Sequence, residues 1–126
     1  MFRARLVADH LHLHLFGAPE FSDVCSLLET LSTMPLHHAR TRCIDAASLK
    51  TSTISSAAFD LLFDVFSRPF PALQHEALIV NHDVAGALLS GMRQLAPANH
   101  EWRLFRSSLE AFRWLRVPRE VMPLFA

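Results

Sequence analysis

The chain has 126 residues, enough for one domain that buries roughly two-thirds of its unfolded surface in a single core. Twelve basic residues balance twelve acidic ones, which argues against a nucleic-acid footprint spread over the whole chain. Apolar residues make up 51%, yet no apolar run approaches the ~20 residues of a membrane span, and no apolar stretch follows the arginines of the opening MFRARLVADH, so neither a membrane span nor a secretory signal is expected.

The first elements come from RARLVADHLHLHLF, read as two extended pieces with a turn near Ala8, Asp9 and His10. Strict alternation from His10 to Leu15 is the period-2 pattern of a strand with two different faces. Gly17 and Pro19 punctuate. Phe21, Val24, Leu27, Leu28 and Leu31 then fall at helical spacing, in a helix closed before Pro35. TRCIDAASL predicts a short buried strand around Cys43 and Ile44, with Asp45 at its carboxyl end. Cys25 and Cys43 form no CxxC or zinc spacing and sit inside apolar segments, as reduced core thiols of a cytoplasmic protein would.

TSTISSAAFDLLFDVFSRPF predicts the longest helix, capped by Thr51, Ser52 or Thr53 and stopped before Pro69. A strand from Ala77 to Val80 is continuously apolar, as expected of a strand covered on both faces. Asn81 to Asp83 offer caps to a helix in VAGALLSGMRQL, where Val84, Leu88, Met92 and Leu95 form one stripe. HEWRLFRS predicts a last strand and SSLEAFRWLRV a last helix, with Ser107 and Glu110 at capping-box spacing and Pro118 as terminator. The alternation of strands and helices predicts an α/β fold: a single domain over residues 1–117 with a mixed, mainly parallel sheet of four or five strands and about four helices. Residues 118–126 form an apolar tail.

A strand ending in Asp45 before a Ser/Thr-rich helix, the ALIVNHD strand and the terminal RLFRSSLEAFRWL together resemble the STAS-like, or SpoIIAA-like, family of small bacterial domains. The similarity spans residues 2 to 117 and is strongest where Phe105 ends a strand and Leu109, Ala111, Trp114 and Leu115 follow. It implies an opening edge hairpin and a relation to lipid-binding CRAL-TRIO folds. The family's anti-sigma-factor antagonists carry a phosphorylatable serine at the start of the helix after the second family strand. Ser55 and Ser56 lie nearest that position, and Ser55 is the candidate phosphosite. The antagonist pattern Asp-Ser-Ala-Gly is not kept, because this chain has Thr53, Ile54, Ser55, Ser56 and Ala57.

Three groups of residues are candidates for function. Free backbone N–H groups at the start of the Ser-rich helix favour an anion, which draws in Ser52, Ser55 and Ser56, while serines there also serve as ordinary caps. On the same helix Ala58, Leu61, Leu62 and Val65 make a core stripe, and Phe59, Phe63 and Phe66 make an adjacent one. Together they exceed the arc that packing on a sheet needs. A neighbouring helix, the tail with Met122 and Phe125, a second subunit or an apolar ligand should therefore cover the rings. His10, His12 and His14 form the third group, either three ligands of one metal, with His37 and His38 as further donors, or histidines on the wet or subunit-contacting face of an edge strand.

Catalytic patterns are weaker: GxSxG, GxGxxG and Walker A are all absent, and His82–Asp83 point apart on a helix cap. The expectation is a non-catalytic, cofactor-free cytoplasmic module, working as a homodimer, that binds a protein partner or an apolar small molecule through Ser52, Ser55, Ser56, Phe59, Phe63 and Phe66. The alternatives are a metal-dependent enzyme or sensor on the histidine strand, and a phosphoserine-switched regulator.

Overall fold

The computed structural model describes residues 2–67, 70–83 and 101–117. Strands β1 (Phe2–Val7) and β2 (His10–Gly17) pair as an antiparallel hairpin around the two-residue turn Ala8–Asp9. Ala8 has φ of 52°, a left-handed conformation that costs a residue with a Cβ about 1 kcal/mol. Then follow α1 (Phe21–Ser32), β3 (Thr41–Leu49), α2 (Ser56–Ser67), β4 (His75–Ile79), β5 (Glu101–Phe105) and α3 (Ser108–Leu115). The sheet order is β1-β2-β3-β4-β5, with β2 to β5 mutually parallel. This is the expected mixed, mainly parallel sheet, with three helices among the described residues. The expected helix beginning at Val84, with its stripe, and the tail 118–126 lie outside them.

The topology decides which helix covers which face. The crossovers β2–α1–β3 and β3–α2–β4 step in the same direction, so right-handed connections place both helices on one face. There Leu11, Leu13, Leu15, Ile44, Ala46, Leu78 and Val80 pack with Val24 and Leu27 of α1 and Ala58, Leu62 and Val65 of α2. Following β5, α3 lies on the opposite face, where Ala111, Phe112 and Leu115 pack with Cys43, Ala77 and Ile79. Parity therefore sends every leucine of β2 to the α1/α2 side and its histidines to the other.

β3 spans the expected stretch TRCIDAASL but runs on past Asp45, which was expected at its carboxyl end. The β2–β3 register advances two residues on β2, from His14 to Phe16, but three on β3, from Asp45 to Ser48. Such a bulge inverts parity beyond it: Ala46 faces α1/α2, Ala47 faces α3, and Leu49 returns to the α1/α2 core. The Asp45 carboxylate accepts a bond from the Ala47 N–H at 3.2 Å within the bulge. Asn81 Nδ2 donates to the carbonyls of Ala47 at 2.8 Å and Leu49 at 3.3 Å, fixing the strand's end.

Helix ends differ from expectation in two places. α2 begins at Ser56, because Thr51–Thr53 form a separate 3-10 turn, and Ser55 supplies the cap. At α3, Ser107 occupies the N-cap position, but its side chain makes no capping bond. The helix ends as Arg116 turns to φ of 57°, with the Val117 N–H donating back to the Phe112 carbonyl at 3.2 Å. That is the Schellman-type closure usually given to glycine.

The α1/α2 side also contains an ion pair between Arg42 of β3 and Glu76 of β4, each with a side chain 1% exposed. The two residues are register partners on adjacent parallel strands, and the Arg42 guanidinium stacks 4.8 Å from the centre of the Phe70 ring. Removing one member takes the direct counter-charge away from a buried group. In urea unfolding, Glu76→Leu should cost about 3–5 kcal/mol, and the double change Arg42→Met with Glu76→Leu should recover most of it. Equal losses in the single and double variants would contradict this.

Candidate functional site

The start of α2 stands beside the carboxyl ends of the parallel strands, where ligands of open α/β sheets commonly bind. The bulge and the Asn81 clamp set the backbone there. An open groove of about 730 Å³ is lined by Ala47, Ser48, Leu49, Lys50, Ser52, Thr53, Asn81 and Asp83. Its one ammonium and one carboxylate, with three hydroxyls and an amide, make a polar surface without strong net charge. Ser52 is exposed on this groove.

Ser55 and Ser56 are also exposed but do not line the groove. The Ser55 hydroxyl accepts a bond from the Ala58 N–H at 3.2 Å, and its carbonyl accepts one from the Phe59 N–H at 2.9 Å. Ser55 is thus the structural cap of α2, and a phosphate on it would place negative charge at the positive end of the helix.

From Ser55 and Ser56, steps of three and four residues lead along one helix surface to Phe59 and Phe63. These half-buried rings meet edge to face, with centroids 4.8 Å apart. Phe63 packs against the α1/α2 core, which covers part of the stripe from within the chain. The side chain of Phe66 lies outside the described residues. Of the six expected residues, Ser52 lines the groove, Ser55 and Ser56 are exposed at the cap, and Phe59 and Phe63 follow on α2. Lys50, Asn81 and Asp83 join them unexpectedly, because only the register of β3 and β4 brings them together.

The histidine strand departs most from expectation. β2 is an interior strand between β1 and β3, and two of its three histidines point into the α3 side of the core. His10 is 2% and His12 5% exposed, while His14 is half-buried. The His10 Nδ1 shares a 2.7 Å bond with the Thr41 hydroxyl. The His12 ring packs against Phe112 of α3, with centroids 5.7 Å apart, and His14 packs against Phe16 at 5.3 Å. The His10 and His12 rings lie with centroids 6.0 Å apart, and among the described residues no cluster of three His, Cys, Asp or Glu side chains is placed to hold a metal. His37 and His38 are exposed on the 3-10 turn Leu36–His38. Cys43 is buried on the same face as His12, and burial, then Asp45 and Glu76, push its thiol pKa up.

Burial lowers the pKa of His10 to about 4, against the opposing attraction of Asp9. Burial, then His10, His14 and Arg5, lower that of His12 to about 3. Below an ordinary value of 6.5 the unfolded chain takes up protons that the folded one refuses, so stability is full above pH 6.5 and falls as pH drops toward 4. Each imidazole should contribute a slope of roughly 1.4 kcal/mol per pH unit in that window. His12→Leu, compared with the wild type by urea unfolding from pH 7 to 4.5, should remove about half of the histidine slope; unchanged slopes would contradict the assignment. At neutral pH, Ser55→Ala should cost about 1 kcal/mol, and Ser55→Asp should keep the cap.

No protein-family model matches the chain, and no curated protein matches it. Among solved structures, it is similar to the crystal structure of an uncharacterized protein of the DUF3478 family with a SpoIIAA-like fold, from Shewanella loihica PV-4. The TM-score is 0.65 at 16% identity, over 91% of this chain and 92% of that one. No helix among the described residues is long and apolar enough to cross a membrane. Strand order, parallel register and this likeness agree: the chain has a STAS-like, or SpoIIAA-like, fold.

Proposed function

We propose that the domain is a non-catalytic interaction module whose partner is a protein. The partner docks along the rim formed by Ser52, Ser55, Ser56, Phe59 and Phe63. The observation that carries this reading is the continuity of the rim. An open polar groove runs into an exposed serine cap and then into a half-buried aromatic pair on one helix. Protein interfaces combine polar edges with aromatic anchors in this way. Ser55 supplies a point of control, because its phosphate would change the charge of the docking surface.

An apolar small molecule is the second reading, since α1 and α2 flank a mostly apolar cavity whose lining also includes Ser32 and Arg42. Its volume of about 130 Å³ favours the protein partner, because sites for drug-sized or lipid ligands run to roughly 300–1,000 Å³. A second copy of the chain is a further occupant of the same rim.

Native mass spectrometry of the chain isolated from its own host separates these readings. A defined complex with another protein is expected, and it should be lost on Phe59→Asp and kept on Asp60→Ala. A photo-crosslinking residue at Ser56 should reach the same partner. A homodimer disrupted by Phe59→Asp would assign the rim to self-association, and a co-purified lipid would move the function to the cavity. A ligand-free monomer would refute the proposal.

A further inference from the structure

The amino ends of the parallel strands, opposite the docking rim, carry a second concave site. A crevice of about 460 Å³ is lined there by Asp9, His10, Arg40, Thr41, Gln74, His75, Trp114, Leu115, Arg116 and Val117. This volume falls in the range of small-molecule sites.

The floor is fixed. The Asp9 carbonyl accepts from the N–H groups of Arg40 at 2.8 Å and Thr41 at 3.3 Å. The Arg40 carbonyl accepts from Gln74 at 2.8 Å and His75 at 3.3 Å, and the Gln74 carbonyl accepts from Glu101 at 3.0 Å. With these backbone donors engaged, a ligand must be read by side chains. Two arginines line the crevice against one aspartate, and Asp9 lies 4.0 Å from Arg40 Nε as an exposed pair. Exposed pairs hold weakly, so Arg40 is available to a better-placed anion. His75 Nε2 lies 3.6 Å from Glu101, an exposed carboxylate beside the crevice.

Apart from His10, the remaining lining is apolar. Trp114, Leu115 and Val117 come from the end of α3. The indole is propped by the Phe105 ring at 5.6 Å, the His75 ring at 5.3 Å and the Arg103 guanidinium at 5.1 Å. Between these stands Arg116, holding φ of 57° at a position where glycine would be unstrained. The closing turn of α3 thus sets an arginine beside an indole.

We infer that this crevice binds a small aromatic molecule bearing one anionic head, a carboxylate or a phosphate. Arg40 and Arg116 hold the head, and Trp114, Leu115 and Val117 cover the ring. The site is separate from the docking rim and does not depend on it.

Titration of the ¹⁵N-labelled full chain tests this, read at the Trp114 indole signal after assignment with Trp102→Phe. Benzoate and phenyl phosphate are the probes, with benzamide and benzylamine as neutral and cationic controls. At least one anion should shift the signal saturably, with both controls about tenfold weaker or more. The tighter of the two anions identifies the head group. Arg116→Gly should weaken binding about tenfold while raising the thermal midpoint by about 3–5 °C, because it removes a ligand contact and relieves the backbone. A purely structural Arg116 would not separate affinity from stability in this way. Arg40→Gln, an exposed change, should weaken binding similarly. Equal binding of benzamide and the anions, no shift with either anion, or unchanged affinity in both arginine variants would overturn the inference.

Discussion

Both faces of the central strands are covered, and by different helices. Each residue of β2, β3 and β4 must therefore suit one of two surroundings. On the α1/α2 side the strands supply leucine, isoleucine, alanine and one buried ion pair. On the α3 side they supply histidine, cysteine, alanine and isoleucine. The pleat enforces the separation, since a one-residue slip of β2 would exchange its leucines for its histidines. A Leu11 or Leu13 side chain would then stand where an imidazole packs, and a histidine would enter the aliphatic core beside Arg42. Register is accordingly well specified, and the ion pair reinforces it, because Arg42 finds Glu76 only when β3 and β4 are correctly aligned.

The bulge in β3 shows the same constraint at work locally. Without its extra residue, Leu49 would lie on the α3 side and the strand's end would miss the carboxyl-end groove. With it, Leu49 joins the α1/α2 core, the chain turns at Lys50, and Ser52 reaches the groove. The features proposed for function thus follow from a packing requirement a few residues upstream. At the other end of the sheet, the short connections entering β2, β3 and β4 tie to one another through backbone bonds. They leave arginine, histidine and tryptophan side chains lining a rigid crevice. The two ends differ in chemistry: one carries hydroxyls and phenylalanines, the other guanidinium groups and an indole.

The histidines show how far a residue's surroundings depend on what packs over its strand. Three imidazoles at every second position have the composition of a metal site, yet strand spacing keeps their Cα atoms about 6.5–7 Å apart. The helix on that face supplies Phe112 rather than a carboxylate. Two of the rings act as core residues that happen to titrate, which couples the packing of α3 to the neutral state of His10 and His12. Their burial could not be read locally, because the helix that covers them begins almost a hundred residues further along the chain.

What could be read from the linear pattern was whatever local periodicity and punctuation encode. The alternation of β2, the helical stripes of α1 and α2, the glycine and proline stops, and the strand–helix rhythm of a mainly parallel sheet all belong to this class. Such signals rest on backbone geometry within a few residues. The Ser52–Phe63 segment was recognisable too, because its serines and phenylalanines are neighbours along the chain. Long-range pairing decided the rest: the salt bridge between Arg42 and Glu76, the bulge beyond Asp45, the burial of His10 and His12, and the placing of Arg40 and Arg116 on one crevice. Each depends on strand register or on which face a later helix covers. Such contacts join residues separated by dozens of positions, and no periodicity within a segment records where its partner will lie.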